Sequence, residues 1–309
     1  MTTINHQVKG ASVELETLQQ LRFLAQGFIR SKQKARALLS GGHKSNHHSR
    51  GMEFEEVRLY QAGDDVRTID WRVTARTQTP HTKCFQEEKE KPVITLVDQR
   101  RSMFFGSQHC FKSVYACQLS ALINWATLAR SDRCGGMVIG SQSISTIRPN
   151  RTKSSLNRWL MTLTNYNHQL LAMHNHKDAF KQTEPTLENA LKQLDNSSQN
   201  GTEIILISDF YDLNPQCENM LFKLAKHHTL SLYWLVDPLE IELPLIGQAT
   251  FSNGIQNRTL TVDKALQKES RLKYLNKKEQ LTELCRRLKS GFVKINTETP
   301  LLDIYQHRS

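Results

Sequence analysis

The sequence predicts an α/β protein with a doubly wound, mostly parallel sheet, a small β-rich segment before it and a helical N-terminal arm. Three observations carry this. Short apolar runs at Val93–Val97, Glu203–Asp209 and Leu230–Val236 read as strands covered on both faces. Longer amphipathic stretches alternate with them, which is the pattern of parallel strands joined by crossover helices. At 309 residues the chain has room for a full α/β core plus appended segments, since one domain takes about 100–200 residues.

From the N-terminus, Leu15, Leu18, Leu21, Leu24 and Ala25, then Phe28 and Ile29, recur at three- and four-residue steps, so residues 13–39 read as one or two amphipathic helices. Gly41 and Gly42 stop them. Residues 42–51 are polar and turn-rich and read as an exposed loop that closes a basic arm over residues 1–50. His43, His47 and His48 lie there without a nearby Cys or carboxylate to complete a metal shell, so they read as solvent-exposed. Residues 51–91 follow as the β-rich segment: Phe54 to Tyr60, a turn at Gly63-Asp64-Asp65, and an extended Ile69 to Val73.

The main α/β domain is expected over residues 92–309. After Val93–Val97, residues 110–130 supply a helix with Phe111, Val114, Tyr115, Leu119, Leu122, Ile123 and Ala126 on one stripe. Cys134–Gly140 and Ser143–Ile147 read as two strands joined by a tight turn, and Thr152–Thr164 as helical. Thr186–Leu194 is a further helix, with Thr186 as N-cap or loop residue. Pro215–His227 reads as helix, residues 264–289 as a long basic helix, Gly291–Ile295 as a late strand and Pro300–Tyr305 as a closing turn.

Composition narrows the function classes. A hydrophobic fraction of 38% and a charged fraction of 23% describe an ordinary globular chain. No charge-free apolar segment reaches the about 20 residues that span a bilayer, and the first ten residues lack a signal-peptide core. Six cysteines without a C-x-x-C pair fit reduced, structural thiols and a cytoplasmic location. The formal charge of +11 is concentrated: residues 1–50 hold eight basic residues against two acidic ones, and residues 264–289 hold nine against three. Two basic flanks around a neutral body imply a polyanionic or acidic partner, or helix faces that keep the protein soluble.

In open parallel sheets, ligands collect beyond the carboxyl ends of the strands. Asp98 and Asp209 each end a strand. With Ser102 and Thr186 they give four oxygen-bearing side chains suited to a hard cation such as Mg²⁺; alternatively, each aspartate caps a helix or closes a turn.

The run from Gly51 to Trp71, with Arg58, Tyr60, Gly63, Asp64, Arg67, Asp70 and Trp71 in an Arg-x-Tyr-x-x-Gly-Asp-Asp-x-Arg-x-Ile-Asp-Trp pattern, closely resembles the domain-of-unknown-function 58 family. Ala75-Arg76, Phe85, Glu87-Glu88 and Asp98 to Gly106 extend the resemblance, which covers at least residues 40–235. It implies a von Willebrand factor A-like domain and an Asp-x-Ser-x-Ser metal-ion-dependent adhesion motif. Carried over, Asp98 takes the first position and Ser102 the last, with Thr186 and Asp209 as the remaining ligands. The middle position is Arg100, whose guanidinium has no lone pair and repels a cation. The expectation is a degenerate site in which Arg100 pairs with Asp98 or Asp209 and replaces Mg²⁺. In the segment before it, Trp71 is expected to be buried, with Arg67 and Asp70 fixing local geometry; alternatively, the segment is an exposed partner surface.

No G-x-S-x-G elbow, H-E-x-x-H or P-loop is present, so an enzyme is not expected. The resemblance also implies association with MoxR-type AAA+ ATPases, which makes a protein-interaction module, an adaptor or chaperone-like accessory, the leading reading. The alternative is non-specific nucleic-acid or anionic-surface binding through the basic flanks.

Overall fold

The computed structural model describes residues 7–30, 52–61, 63–87, 91–175, 183–244, 247–252 and 257–305. The chain divides into two compact units, a small one of residues 40–90 and a large one of residues 1–39 and 91–309. In the small unit, β1 (Met52–Leu59) and β2 (His81–Glu87) pair antiparallel, with a register shift between Phe54 and Glu56. On the other edge of β2, Ile69 bridges to Thr82.

Ile69–Val73, expected to be extended, departs from that expectation at Asp70. Its carboxylate accepts from the Arg72 and Val73 N–H groups at 3.0 and 3.2 Å. That N-cap starts a helix, Trp71–Thr77, and aspartate is among the strongest residues in that role. The helix buries none of its residues, so Trp71, expected inside, is 69% exposed.

The large unit holds β3 (Pro92–Gln99), β4 (Arg133–Gly140), β5 (Ile144–Asn150), β6 (Glu203–Ser208), β7 (Thr229–Val236), β8 (Gly247–Ser252), β9 (Asn257–Val262) and β10 (Gly291–Asn296). Six of them form one sheet in the order β10-β7-β6-β3-β4-β5, parallel except for β5, which returns antiparallel to β4. Strand side chains alternate between two cores, as a period of two requires. Val93, Val97, Val138, Ile205 and Ile207 face one core, which the Lys112–Ala129 and Lys153–Asn175 helices cover. Ile94, Leu96, Met137, Leu206 and Trp234 face the other, under helices Leu187–Ser197, Pro215–Ala225 and Lys264–Leu288. Helices on both faces of a mostly parallel sheet make this the expected doubly wound α/β architecture. The β8–β9 hairpin, which no sequence signal announced, stands apart as a two-stranded ribbon.

The N-terminal segment is not a separate arm where it is described. The leucine period does form a helix, Leu15–Gln20, but its apolar face is covered by the large unit. Val8, Val13, Leu18, Leu21, Ala25 and Phe28 are all buried in the first core. The Trp125 indole donates to the Leu18 carbonyl at 2.9 Å, and Gly10 bridges to Cys110. A one-sided apolar helix in water must bury that face somewhere, and the nearest cover is the sheet's own helix layer. The loop 42–51, with His43, His47 and His48, lies outside the described residues.

The Lys112–Ala129 helix is buried on every side along residues 112–127, which is why its sequence from Ser113 onward carries no charge. No helix among the described residues is long and apolar enough to cross a membrane. The five described cysteines are free and buried; burial pushes the Cys110 thiol up to about 12 and Cys134 to about 11, so neither is a reactive thiolate.

Close packing puts a limit on β4. A Cβ added at Gly136 would clash with the Trp159 ring, which is itself fully buried with its indole N–H on Ser120 Oγ at 3.2 Å. The ring has nowhere to retreat. Gly136→Ala is therefore expected to destabilise the fold by about 1–3 kcal/mol through overpacking, read as a lower urea midpoint at unchanged m.

Candidate functional site

β3 and β6 are neighbours, yet the chain leaves them in opposite directions, toward β4 on one side and β7 on the other. At such a switch point the connections diverge and open a crevice beyond the strand ends. Asp98 at the end of β3 is 0% exposed. A buried carboxylate costs several kcal/mol unless it is paired, and here the partners are local. Asp98 Oδ1 accepts from the Arg100 backbone N–H at 3.1 Å and from Arg100 Nε at 2.9 Å. Asp98 Oδ2 accepts from Arg100 Nη2 at 2.7 Å and from Ser208 Oγ at 2.6 Å.

The same guanidinium reaches across to the loop after β6. Arg100 Nη1 and Nη2 donate to Asp212 at 2.6 and 2.9 Å, a two-pronged grip, and Nη1 meets the Pro185 carbonyl at 3.4 Å. Arg100 is 5% exposed. Burial works against its charge, but Asp98 and Asp212 outweigh burial and hold it firmly protonated. At Asp212 burial raises the carboxyl, yet the Arg100 hydrogen bonds and charge and the Leu187 N–H prevail and hold it below the ordinary range.

A second internal cation lies beside the first. Lys112, the opening residue of the long buried helix, is 1% exposed, and its ammonium donates to Asp209 at 2.9 Å and to Glu240 at 2.6 Å. A positive charge at a helix N-terminus opposes the helix dipole, so these carboxylates do more than satisfy the lysine's donors. Ser102 Oγ donates to Asp209 Oδ1 at 3.2 Å, and the Tyr211 N–H meets the same oxygen at 3.1 Å. Burial raises Asp209, but Lys112 outweighs it and leaves the carboxyl lowered; at Glu240 burial prevails over Lys112 and the carboxyl is raised. Between Asp209 and Asp212, Phe210 is buried at φ +53°, a left-handed conformation uncommon outside glycine. Lys277 Nζ holds its carbonyl at 2.7 Å.

Of the residues singled out in the sequence, Asp98 and Arg100 meet directly, and Ser102 meets Asp209. Arg100 takes Asp212 rather than Asp209 as its second partner. Thr186 does not aim its hydroxyl at the aspartates: it caps the Leu187–Ser197 helix, accepting from Asn189 N–H at 3.2 Å, with Asn189 Oδ1 at 2.6 Å. Its loop still belongs to the site, since Glu184 accepts from the Arg101 N–H at 3.0 Å and pairs with the Arg101 side chain. Lys112, Asp212 and Glu240 were missed. The signal that finds Lys112 is the uncharged helix behind it, which buries whatever begins it.

These residues do not fit a divalent cation. Both oxygens of Asp98 are taken by Arg100 and Ser208, Asp209 faces an ammonium, and an added cation would meet two resident positive charges. Among the described residues no group of three or more His, Cys, Asp or Glu is arranged to hold a metal.

The family-pattern residues of the small unit form their own cluster. Arg58 Nη2 pairs with Asp64 Oδ1 at 2.8 Å, and that hydrogen bond is the main cause holding the Asp64 carboxyl below its usual range. The Tyr60 hydroxyl donates to the Asp64 carbonyl at 3.3 Å, Gly63 takes φ +111° in the turn, and the Asp65 carboxylate accepts from Arg67 N–H at 2.9 Å.

The pH dependence follows from the lowered carboxyls. Asp209 and Asp212 have folded values below their unfolded ones, so their contribution is present above about pH 4 and is lost as pH falls through the folded values. Glu240 acts oppositely, since a raised carboxyl favours the fold as it protonates. The urea midpoint is expected to hold or rise slightly between neutrality and about pH 5, then fall steeply below about pH 4.

With the fold and site in place, the chain's relationships are consistent. The profile of the family "Protein of unknown function DUF58" matches residues 56–283, and the protein belongs to that family. Uncharacterized proteins of Mycobacterium bovis and Mycobacterium tuberculosis are 27% identical over 237 residues, 76% of this chain and 71% of theirs. Among solved structures, the SpRpn10 VWA domain is 12% identical with a TM-score of 0.34, over 72% of this chain and 96% of that one. Proximal thread matrix protein 1 from the mussel byssus is 15% identical with a TM-score of 0.34, over 47% of this chain and 37% of that one.

Proposed function

We propose that this protein is a cytoplasmic, non-enzymatic interaction module that serves a MoxR-type AAA+ ATPase as adaptor or chaperone-like accessory. The observation that carries the reading is the internally paired charge cluster at the strand ends. Arg100 and Lys112 are ion-paired with Asp98, Asp209, Asp212 and Glu240, which supports reading the site as a degenerate adhesion motif whose charge is balanced internally. Nothing in it resembles a nucleophile with its base: its ionisable groups are spent on one another. A domain without ion chemistry binds through its surface.

A pull-down with a MoxR-type ATPase, with and without nucleotide and Mg²⁺, tests the partner; no binding in either state argues against it. Calorimetric titration with Mg²⁺ and Mn²⁺ tests the site. The expected result is no tight binding, and tight binding that vanishes in Asp98→Ala would overturn the internal-cation reading.

The polyanion alternative draws on the exposed Lys264 and Lys268 of the last long helix. It is weakened by neighbours already paired, Arg271 with Glu242, Lys273 with Glu269 and Arg286 with Glu283. Tyr274, the aromatic available there, is stacked on Trp234. A DNA mobility shift that falls steeply with salt would favour it.

A further inference from the structure

The small unit displays three large apolar side chains to solvent: Leu59 at 59%, Val66 at 60% and Trp71 at 69% exposure. Single exposed aliphatics are ordinary, but an exposed tryptophan is not, because burying its ring is worth more than burying almost any other side chain. Its surroundings single it out further. Trp71, Arg72, Ala75 and Arg76 form the outward face of the Trp71–Thr77 helix, and Arg67 stands exposed in the turn before it. Arg67, Arg72 and Arg76 form no ion pair among the described residues, whereas Arg58 in the same unit is held by Asp64. Arginines left free beside a tryptophan give the composition in which binding energy concentrates at protein interfaces.

We infer that the Trp71–Arg76 helix face is a docking surface for an acidic protein segment that also carries aliphatic side chains. The inference rests on the interaction-module reading and supplies the surface and the partner chemistry for it. Free guanidinium forks match carboxylates in two-pronged hydrogen bonds, and the indole supplies a rigid apolar anchor between them. A nucleic acid fits less well. In residues 51–90 acidic side chains outnumber basic ones, and the exposed Asp65 lies beside Arg67, which disfavours a charge on every unit of a phosphate chain more than carboxylates spaced by aliphatic residues. Leu59 and Val66 likewise offer nothing to a phosphate, but they match aliphatic side chains interspersed among carboxylates.

Fluorescence anisotropy with the full chain tests this, using a labelled synthetic peptide that alternates Glu and Leu. A Lys and Leu peptide and a single-stranded oligonucleotide run alongside. The Glu and Leu peptide is expected to bind, and to bind at least about tenfold more weakly to Trp71→Ala and to the Arg72→Glu/Arg76→Glu double variant. Far-UV circular dichroism should not change, because none of these side chains is buried. Equal affinity in both variants, or tighter binding of the basic peptide or the oligonucleotide, overturns the inference. Failure here is separable from failure of the proposed function. An ATPase pull-down that persists in both variants overturns this surface and leaves the adaptor reading standing. Peptide binding through Trp71 without any ATPase binding upholds the surface and overturns the ATPase as its partner.

Discussion

Replacing Arg100 with methionine is expected to cost about 3–5 kcal/mol of folding stability, because it leaves Asp98 charged and buried without its cation. Asp98 would retain only the Ser208 hydroxyl and the backbone N–H of residue 100. Asp212 suffers less, since its side chain is 27% exposed and water can take over the lost bonds. The expected result separates into two measurements. Arg100→Met lowers the urea midpoint strongly at neutral pH, while Asp98→Asn/Arg100→Met recovers most of the loss, because a neutral amide no longer demands a countercharge. A loss below about 1 kcal/mol in the single variant would mean that the guanidinium is not what neutralises Asp98.

The scaffold around that pair was legible because burial on both faces leaves a plain mark. Val93–Val97 and Ile204–Ser208 are continuous apolar runs, and only a strand covered by two helix layers tolerates them. Their terminal aspartates were legible for the same reason, as polar residues where an apolar run stops. Arg100 was legible as a partner for Asp98, but its choice of Asp212 over Asp209 depends on how the loop after β6 turns at Phe210, which no local pattern encodes. Thr186 was read both ways, and the capping reading describes its bonds because Asn189 stands three residues on, where it can answer the cap. Trp71 misled because aromatic residues are usually inside. Its helix has no apolar stripe, with Arg72 and Arg76 beside it, and a helix without a stripe has no face to bury.

Lys112 was the least legible member of the site and carries the second large effect. Lys112→Met is expected to cost about 3–5 kcal/mol at pH 7, because it leaves Asp209 and Glu240 facing each other without a cation. Methionine is the informative substitution: it preserves most of the side chain's length and apolar contact, so the loss reports charge rather than a cavity. The pH dependence then distinguishes this from simple mispacking. Without Lys112 the Asp209 carboxyl loses the main attraction that lowers it, and burial, the largest single influence on it, drives it upward. Both carboxyls of the variant therefore protonate more readily in the fold than in the unfolded chain, and protonation removes their mutual repulsion. The deficit relative to the wild type should shrink as pH falls from 7 toward about 4, whereas a packing defect would persist at every pH. Lys112→Met/Asp209→Asn should recover part of the loss at pH 7 and flatten the pH response, leaving Glu240 to titrate with one fewer charged neighbour. A deficit that stays constant from pH 7 to 4 would show that the lysine stem, rather than its ammonium, holds the loop after β6 in place.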